Sequence, residues 1–288
     1  MTQPLILDGN VAAAALLEKA KSEMALLSVT PHLHVIRIGD DPASVSYTRL
    51  KARRAKKIGM NSTLTELPAD TSEKTLLELI QTLNADADTH GILVQLPFPA
   101  ASSIRESVVL GAIDPNKDVD GLHVVNTGRL WAGQMGLRSC TPAGIISMLD
   151  HYGVELQGQR VVIINRSQLV GKPLAAMCLE RHATVTIAHS RTKDLAAVAR
   201  EADVLVTAVG RVNFITPEFV KAGAVVIDVS VNRVFVEGGE KLVGDCTAEV
   251  AAVSRAITPV PGGVGPMTVS HLLYNTVLAA KMQSKNQG

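Results

Sequence analysis

Arg160-Val161-Val162-Ile163-Ile164-Asn165-Arg166-Ser167-Gln168-Leu169-Val170-Gly171-Lys172-Pro173 is the stretch that decides the fold. Residues 161–164 are all β-branched and carry no polar face, and a polar turn then leads into a helix. A strand that is apolar on both faces belongs in a parallel sheet covered by helices on either side. The pattern recurs at Thr184-Val185-Thr186-Ile187-Ala188, from Asp203 to Gly210, and from Ala224 to Ser230. Repeated βα units of this kind predict a Rossmann-like domain.

Upstream the chain is also α/β, but its strands are more widely spaced. Leu5-Ile6-Leu7 reads as a short strand, and an Ala/Leu/Lys-rich helix follows to about Leu27. Strands are expected at His32–Ile38, Asn61–Leu67 and from Gly91, with helices from Asp41 or Ser44 and from Ser72. Cys140-Thr141-Pro142 marks a shift in composition and the start of another helix.

Bulk properties exclude several classes of protein. With 288 residues and 47% hydrophobic content the chain can build about two cored domains and is not disordered. No apolar run reaches the roughly 18 residues of a membrane span. A formal charge of +1 argues against nucleic-acid binding by phosphate neutralisation. Cys140, Cys178 and Cys246 lack any paired spacing. Together with a start lacking a signal-peptide pattern, this predicts reduced thiols and a cytoplasmic protein. The carboxylates of Lys117-Asp118-Val119-Asp120-Gly121 do not form a calcium loop, and no metal is expected.

Polar residues at special positions are the candidates for chemistry. Tyr47 and Lys51 are four apart on the second helix and share a face, with Ser44 on the same side. By themselves they read more readily as a solvated basic surface than as a site. Gln95 closes the apolar run Gly91-Ile92-Leu93-Val94, at the strand end where α/β sheets bind ligands. Asp120 is equally a turn former or a carboxylate able to accept paired hydrogen bonds from an amino-heterocycle. The run Ile257-Thr258-Pro259-Val260-Pro261-Gly262-Gly263-Val264-Gly265-Pro266-Met267-Thr268 has the prolines and glycines of a shaped loop, with a helix expected from Thr268. The GxGxxG fingerprint is absent from the 165–171 turn. The second strand ends in Ser190 and Arg191, not in the acid that holds a free ribose hydroxyl. With Arg166 nearby, this favours a 2′-phosphate, hence NADP over NAD.

Taken together, the motifs resemble the bifunctional methylenetetrahydrofolate dehydrogenase/cyclohydrolase family over nearly the whole chain. They are Asp41-Pro42-Ala43-Ser44 with Tyr47 and Lys51, Gly91 to Pro97, Lys117 to Gly121, Thr141-Pro142 with Gly144, Arg166-Ser167 with Val170-Gly171 and Pro173, His189-Ser190-Arg191-Thr192, and the 257–268 run. The resemblance implies oxidation of 5,10-methylenetetrahydrofolate with NADP⁺, then hydrolysis of the methenyl product to 10-formyltetrahydrofolate, a step of one-carbon metabolism. It implies Lys51, Gln95 and Asp120 as catalytic residues. Tyr47, Ser44, Val94, Leu96, Pro261, Gly262, Gly263, Val264 and Gly265 would bind the folate. Thr141, Asn165, Arg166, Ser167, Ser190, Arg191 and Val231 would bind NADP. A homodimer is also implied.

The expected architecture is a folate-binding catalytic domain (1–140, completed by a returning C-terminal helix, 266–288) and an NADP-binding Rossmann-like domain (141–265). Both ligands are expected between them. Three residues depart from the family pattern: Asn165 and Ser230 stand where glycine is usual, and Cys246 where valine is common. Asn tolerates left-handed φ and so suits the first turn. Compatible alternatives are a monofunctional or NAD-dependent dehydrogenase and a non-catalytic folate- or nucleotide-binding protein.

Overall fold

The computed structural model describes residues 3–236 and 239–285. Contacts divide them into two units. The first gathers Ala15–Cys140 with the described residues from Val269 onward; the second gathers the described residues through Ala14 with Thr141–Thr268.

The chain opens with β1 (Leu5–Ile6) and α1 (Gly9–Met24). The first unit then adds β2 (His32–Ile38), α2 (Pro42–Lys57), β3 (Asn61–Leu67), α3 (Glu73–Ala85), β4 (Gly91–Val94), α4 (Glu106–Ala112) and α5 (Val124–Trp131). Its sheet is parallel in the order β3-β2-β4. Central β2 is apolar on both faces. Leu33 and Val35 pack with Leu93, Leu272, Leu273 and Val277, while Ile36 and Ile38 pack with Leu76, Ile80 and Ile92. Asp41 caps α2 by accepting the Ser44 N–H, and Ser72 caps α3 through the Thr75 N–H.

The second unit contains α6 (Cys140–His151), β5 (Arg160–Ile164), α7 (Gly171–Glu180), β6 (Thr184–Ala188), α8 (Leu195–Ala199), β7 (Val204–Thr207), β8 (Val225–Asp228), β9 (Asn232–Val236), β10 (Gly239–Val243), α9 (Val250–Val253) and β11 (Ala256–Ile257); α10 (Val264–Lys285) ends the described chain. Six strands form one parallel sheet, β1-β11-β8-β7-β5-β6, and β9 with β10 forms a separate antiparallel hairpin. The all-apolar strands at 161–164, 204–206 and 225–227 are buried throughout, as a doubly covered sheet requires.

Two expectations are corrected. β1, assigned from sequence to the first domain, pairs with β11 at the edge of the second unit's sheet, Leu5 opposite Ala256 and Ile6 opposite Ile257. A two-residue strand depends wholly on its partner, and its partner lies some 250 residues downstream, beyond the reach of a local pattern. The last helix begins at Val264, not Thr268. Pro266 falls in its first turn, where a missing N–H breaks no intrahelical bond. Among the described residues no helix is long and apolar enough to cross a membrane.

Candidate active site

In the first unit Lys51 from the middle of α2, Gln95 just past β4 and Asp120 of the following turn come together. α2 buries Ser44, Thr48, Lys51 and Ala55 on one stripe, so Lys51 is only 8% exposed although it opens a basic run. Of the remaining basic residues, Arg53, Lys56 and Lys57 face solvent, as a charged run normally does, while Arg54 is half-buried and donates to Ser270 Oγ at 3.3 Å. Lys51 Nζ donates to Gln95 Oε1 at 2.8 Å, and Gln95 Nε2 in turn donates to the Leu96 carbonyl at 2.6 Å. That second bond turns the amide oxygen toward the lysine. Tyr47, 43% exposed, has its ring centroid 5.8 Å from Lys51 Nζ.

Burial pulls the Lys51 pKa below the usual lysine range, while the charge of Asp120 and the Cys140 sulfur oppose that shift. Asp120 moves the other way: burial raises its pKa, and the Lys51 charge offsets part of the rise. Both groups are therefore held nearer to proton exchange than they would be in water.

Asp118 and Lys117 have other work. Lys117 Nζ donates to the carbonyls of Leu83, Asn84 and Asp86, at 3.0, 2.9 and 2.6 Å, and so satisfies the end of α3. Asp118 accepts from His123 N and Asn126 Nδ2 at 2.8 and 2.9 Å, which fixes the turn that presents Asp120. Asn275 of α10, fully buried, donates through Nδ2 to the carbonyls of Val119 and Arg138, both at 2.8 Å. Neither Asn275 nor the contact of Cys140 with Asp120 was visible from sequence, since both depend on long-range packing. The Val94 side chain is core, packed with Ile36, Ile38 and Leu76, on the sheet face opposite to Leu93 and Gln95. Leu96 is partly exposed beside Gln95.

Pro261–Gly265 belong to the second unit. There Gly9 N donates to the Gly262 carbonyl at 2.8 Å, and a Cβ on Gly9 would lie 1.7 Å from the Gly263 oxygen. Gly262 has φ +106°, a conformation that needs glycine. Thr141 Oγ1, in the first turn of α6, lies 3.0 Å from Thr268 Oγ1, in the second turn of α10.

The β5–α7 turn is organised by its asparagine. Asn165 Oδ1 accepts from Ser167 N at 2.8 Å, Ser167 Oγ at 2.8 Å and Gly171 N at 3.0 Å, and Asn165 Nδ2 donates to the Ala208 carbonyl at 2.7 Å. The expected use of left-handed backbone at Asn165 is not found: among the described residues, those with positive φ other than glycine are His182, Asp194 and Asn213. Its side chain shapes the turn instead. A Cβ at Gly171 would lie 2.0 Å from the Asn165 main-chain carbonyl oxygen, so this glycine permits the close helix–strand approach of a dinucleotide turn. Arg166, Ser190 and Arg191 are exposed at the carboxyl ends of adjacent β5 and β6. Two guanidinium groups, with no acid at the end of β6, fit a phosphorylated dinucleotide.

A doubly wound parallel sheet with such donors at its strand ends defines the nucleotide-binding half of a dehydrogenase. The tetrahydrofolate dehydrogenase/cyclohydrolase catalytic-domain model matches residues 7–120, and the NAD(P)-binding-domain model of the same family matches residues 139–284. A relative from Thermus thermophilus, the bifunctional protein FolD, is 53% identical over 278 residues, covering 96% of each chain. The crystal structure of the Campylobacter jejuni bifunctional FolD methylenetetrahydrofolate dehydrogenase/cyclohydrolase superposes with a TM-score of 0.91 at 42% identity, over 96% of this chain and 98% of that one. The Trypanosoma brucei methylenetetrahydrofolate dehydrogenase-cyclohydrolase, complexed with NADP cofactor and an inhibitor, gives 0.92 at 36% identity over 99% and 100%. The chain belongs to the tetrahydrofolate dehydrogenase/cyclohydrolase family.

Proposed function

We propose that the protein oxidises 5,10-methylenetetrahydrofolate to the 5,10-methenyl cation and hydrolyses that cation to 10-formyltetrahydrofolate. Buried Lys51, hydrogen-bonded to half-buried Gln95 and beside Asp120, carries this reading. NADP⁺, when bound, supplies the hydride acceptor for the first activity, and Arg166, Ser167, Ser190 and Arg191 are the residues that would hold it. The oxidation makes a cation stabilised by two nitrogen lone pairs, so it asks the protein for positioning more than for a strong base.

Hydrolysis asks for proton movement. Water adds to the methenyl carbon, the carbon–N5 bond breaks, N5 gains a proton, and one proton is released overall. Lys51 in its neutral form accepts a proton from the attacking water and returns one to N5. Burial enlarges the neutral fraction at working pH. The Gln95 amide oxygen accepts from either protonation state of the amine, so it keeps Nζ in place through the cycle. Asp120 accepts hydrogen bonds from the pterin amino and ring N–H groups, and Tyr47 stacks on the folate.

The same reading includes a cytoplasmic homodimer. Free Cys140, Cys178 and Cys246 suit a reducing compartment, and the β9–β10 hairpin carries Phe235, 86% exposed, as an apolar contact for a second copy. Supplying 5,10-methenyltetrahydrofolate without nucleotide tests the hydrolytic half. Enzyme-dependent decay to the 10-formyl product is expected; decay at the buffer rate would refute it.

A further inference from the structure

Asp245 follows β10 and is completely buried, yet it is surrounded by donors rather than by a cation. Thr207 Oγ1 (2.9 Å), Val209 N (2.7 Å) and Ser230 Oγ (2.8 Å) donate to one carboxylate oxygen. Arg211 N (2.9 Å) and Asn232 Nδ2 (3.3 Å) donate to the other. Five donors thus fill the roughly four lone-pair sites of an ionised carboxylate. They come from only two places: the segment leaving β7 and the segment leaving β8. Ser230 joins the two directly as well, because its Oγ accepts the Gly210 N–H at 3.1 Å. Gly244, just before Asp245, lets the backbone pass close to Asp228, since a Cβ there would lie 2.1 Å from Asp228 Oδ2.

Position in the sheet gives the cluster its use. Ligands of an open parallel sheet lie beyond the carboxyl ends of its strands. Arg166, Ser190 and Arg191 sit at the ends of β5 and β6, and suit the phosphorylated ribose. β7 and β8 lie on the other side of β5, so their end loops fall to the opposite part of the dinucleotide. Val231, 51% exposed, stands between Ser230 and Asn232, and both of these donate to Asp245.

We infer that Asp245 is a positioning residue for NADP⁺: its carboxylate locks the loops after β7 and β8 into one surface at the nicotinamide end, and Ser230 is the latch between them. The inference rests on reading this unit as the NADP-binding half. Ser230 does here what a glycine could not, because glycine has no hydroxyl to bridge Gly210 N and Asp245.

The test uses the full-length parent, Asp245→Asn and Ser230→Gly. NADP⁺ dissociation constants are measured by calorimetry, and nucleotide-free methenyltetrahydrofolate hydrolysis is measured in parallel. An amide at 245 turns an N–H toward donors, so Asp245→Asn should raise the NADP⁺ Kd by about tenfold or more. Ser230→Gly removes one bridge and should raise it about threefold. Hydrolysis should stay within about twofold of the parent in both variants, a split that general unfolding would not produce. Unchanged NADP⁺ affinity in Ser230→Gly and in folded Asp245→Asn would overturn the inference alone. So would hydrolysis falling in step with NADP⁺ binding. A parent that binds no NADP⁺ would instead overturn the reading of the unit, and the inference with it.

Discussion

Each unit buries charge, and they do so for opposite ends. Around Lys51 the compensation is partial: one amide oxygen at 2.8 Å, an aromatic ring, and a carboxylate whose own proton affinity is raised by burial. Around Asp245 it is complete, with five donors on two oxygens. A buried group with few partners is pushed toward its neutral form and can move a proton; one with every lone pair engaged can only hold other groups still. The same physical cost thus yields a reagent in one unit and a fastener in the other.

Breaking the reagent should have the largest effect. Lys51→Gln keeps a polar side chain but no titratable amine, and hydrolysis should fall by about a thousandfold. The methenyl product should accumulate with NADP⁺, seen by its absorbance; continued 10-formyl production would remove Lys51 from its role.

A second buried base in the first unit marks the contrast between stability and chemistry. Burial, reinforced by the Lys19 charge, pushes the His271 pKa down to about 4. Its folded value lies below the ordinary one near 6.5, so the unfolded chain takes up the proton first on acidification. Stability is full above about pH 6.5 and falls as pH approaches 4, by about 3 kcal/mol from this group. In urea melts at pH 7 and pH 4.5, His271→Phe should narrow the difference seen in the parent. An unchanged difference would show that His271 is not the group responsible.

Much of this was legible in the chain. The strands at 32–38, 61–67, 160–164 and 184–188 were readable because their apolar periodicity is local. So was the α2 face bearing Lys51, once the motif order was considered. The β9–β10 hairpin was not read, since none of its residues is buried and no core-facing alternation marks it. Asp245 gave no signal, because five donors from two distant loops leave no spacing to find. Asn165 was misjudged in mechanism: a residue chosen for backbone tolerance works here through its amide.

Smaller effects sharpen the comparison. Asp120→Ala should raise the KM for the folate by about thirtyfold, as expected when a charge-assisted hydrogen-bonding group is lost. NADP⁺ affinity, by calorimetry, should stay unchanged; a selective loss of NADP⁺ binding would reassign the residue. Arg191→Gln should raise the KM for NADP⁺ by about tenfold and leave that for NAD⁺ nearly unmoved. Equal losses for both nucleotides would place Arg191 away from the 2′-phosphate.

Hydride transfer and hydrolysis by one chain can be followed in a single mixing experiment. The parent protein is given 5,10-methylenetetrahydrofolate with NADP⁺ or with NAD⁺, while reduced nucleotide, methenyl and 10-formyl species are followed together. The prediction is faster reduction of NADP⁺ than of NAD⁺, with 10-formyltetrahydrofolate as the end product. Reduced nucleotide with methenyl product that decays no faster than in buffer, or no turnover by folded protein, would contradict it.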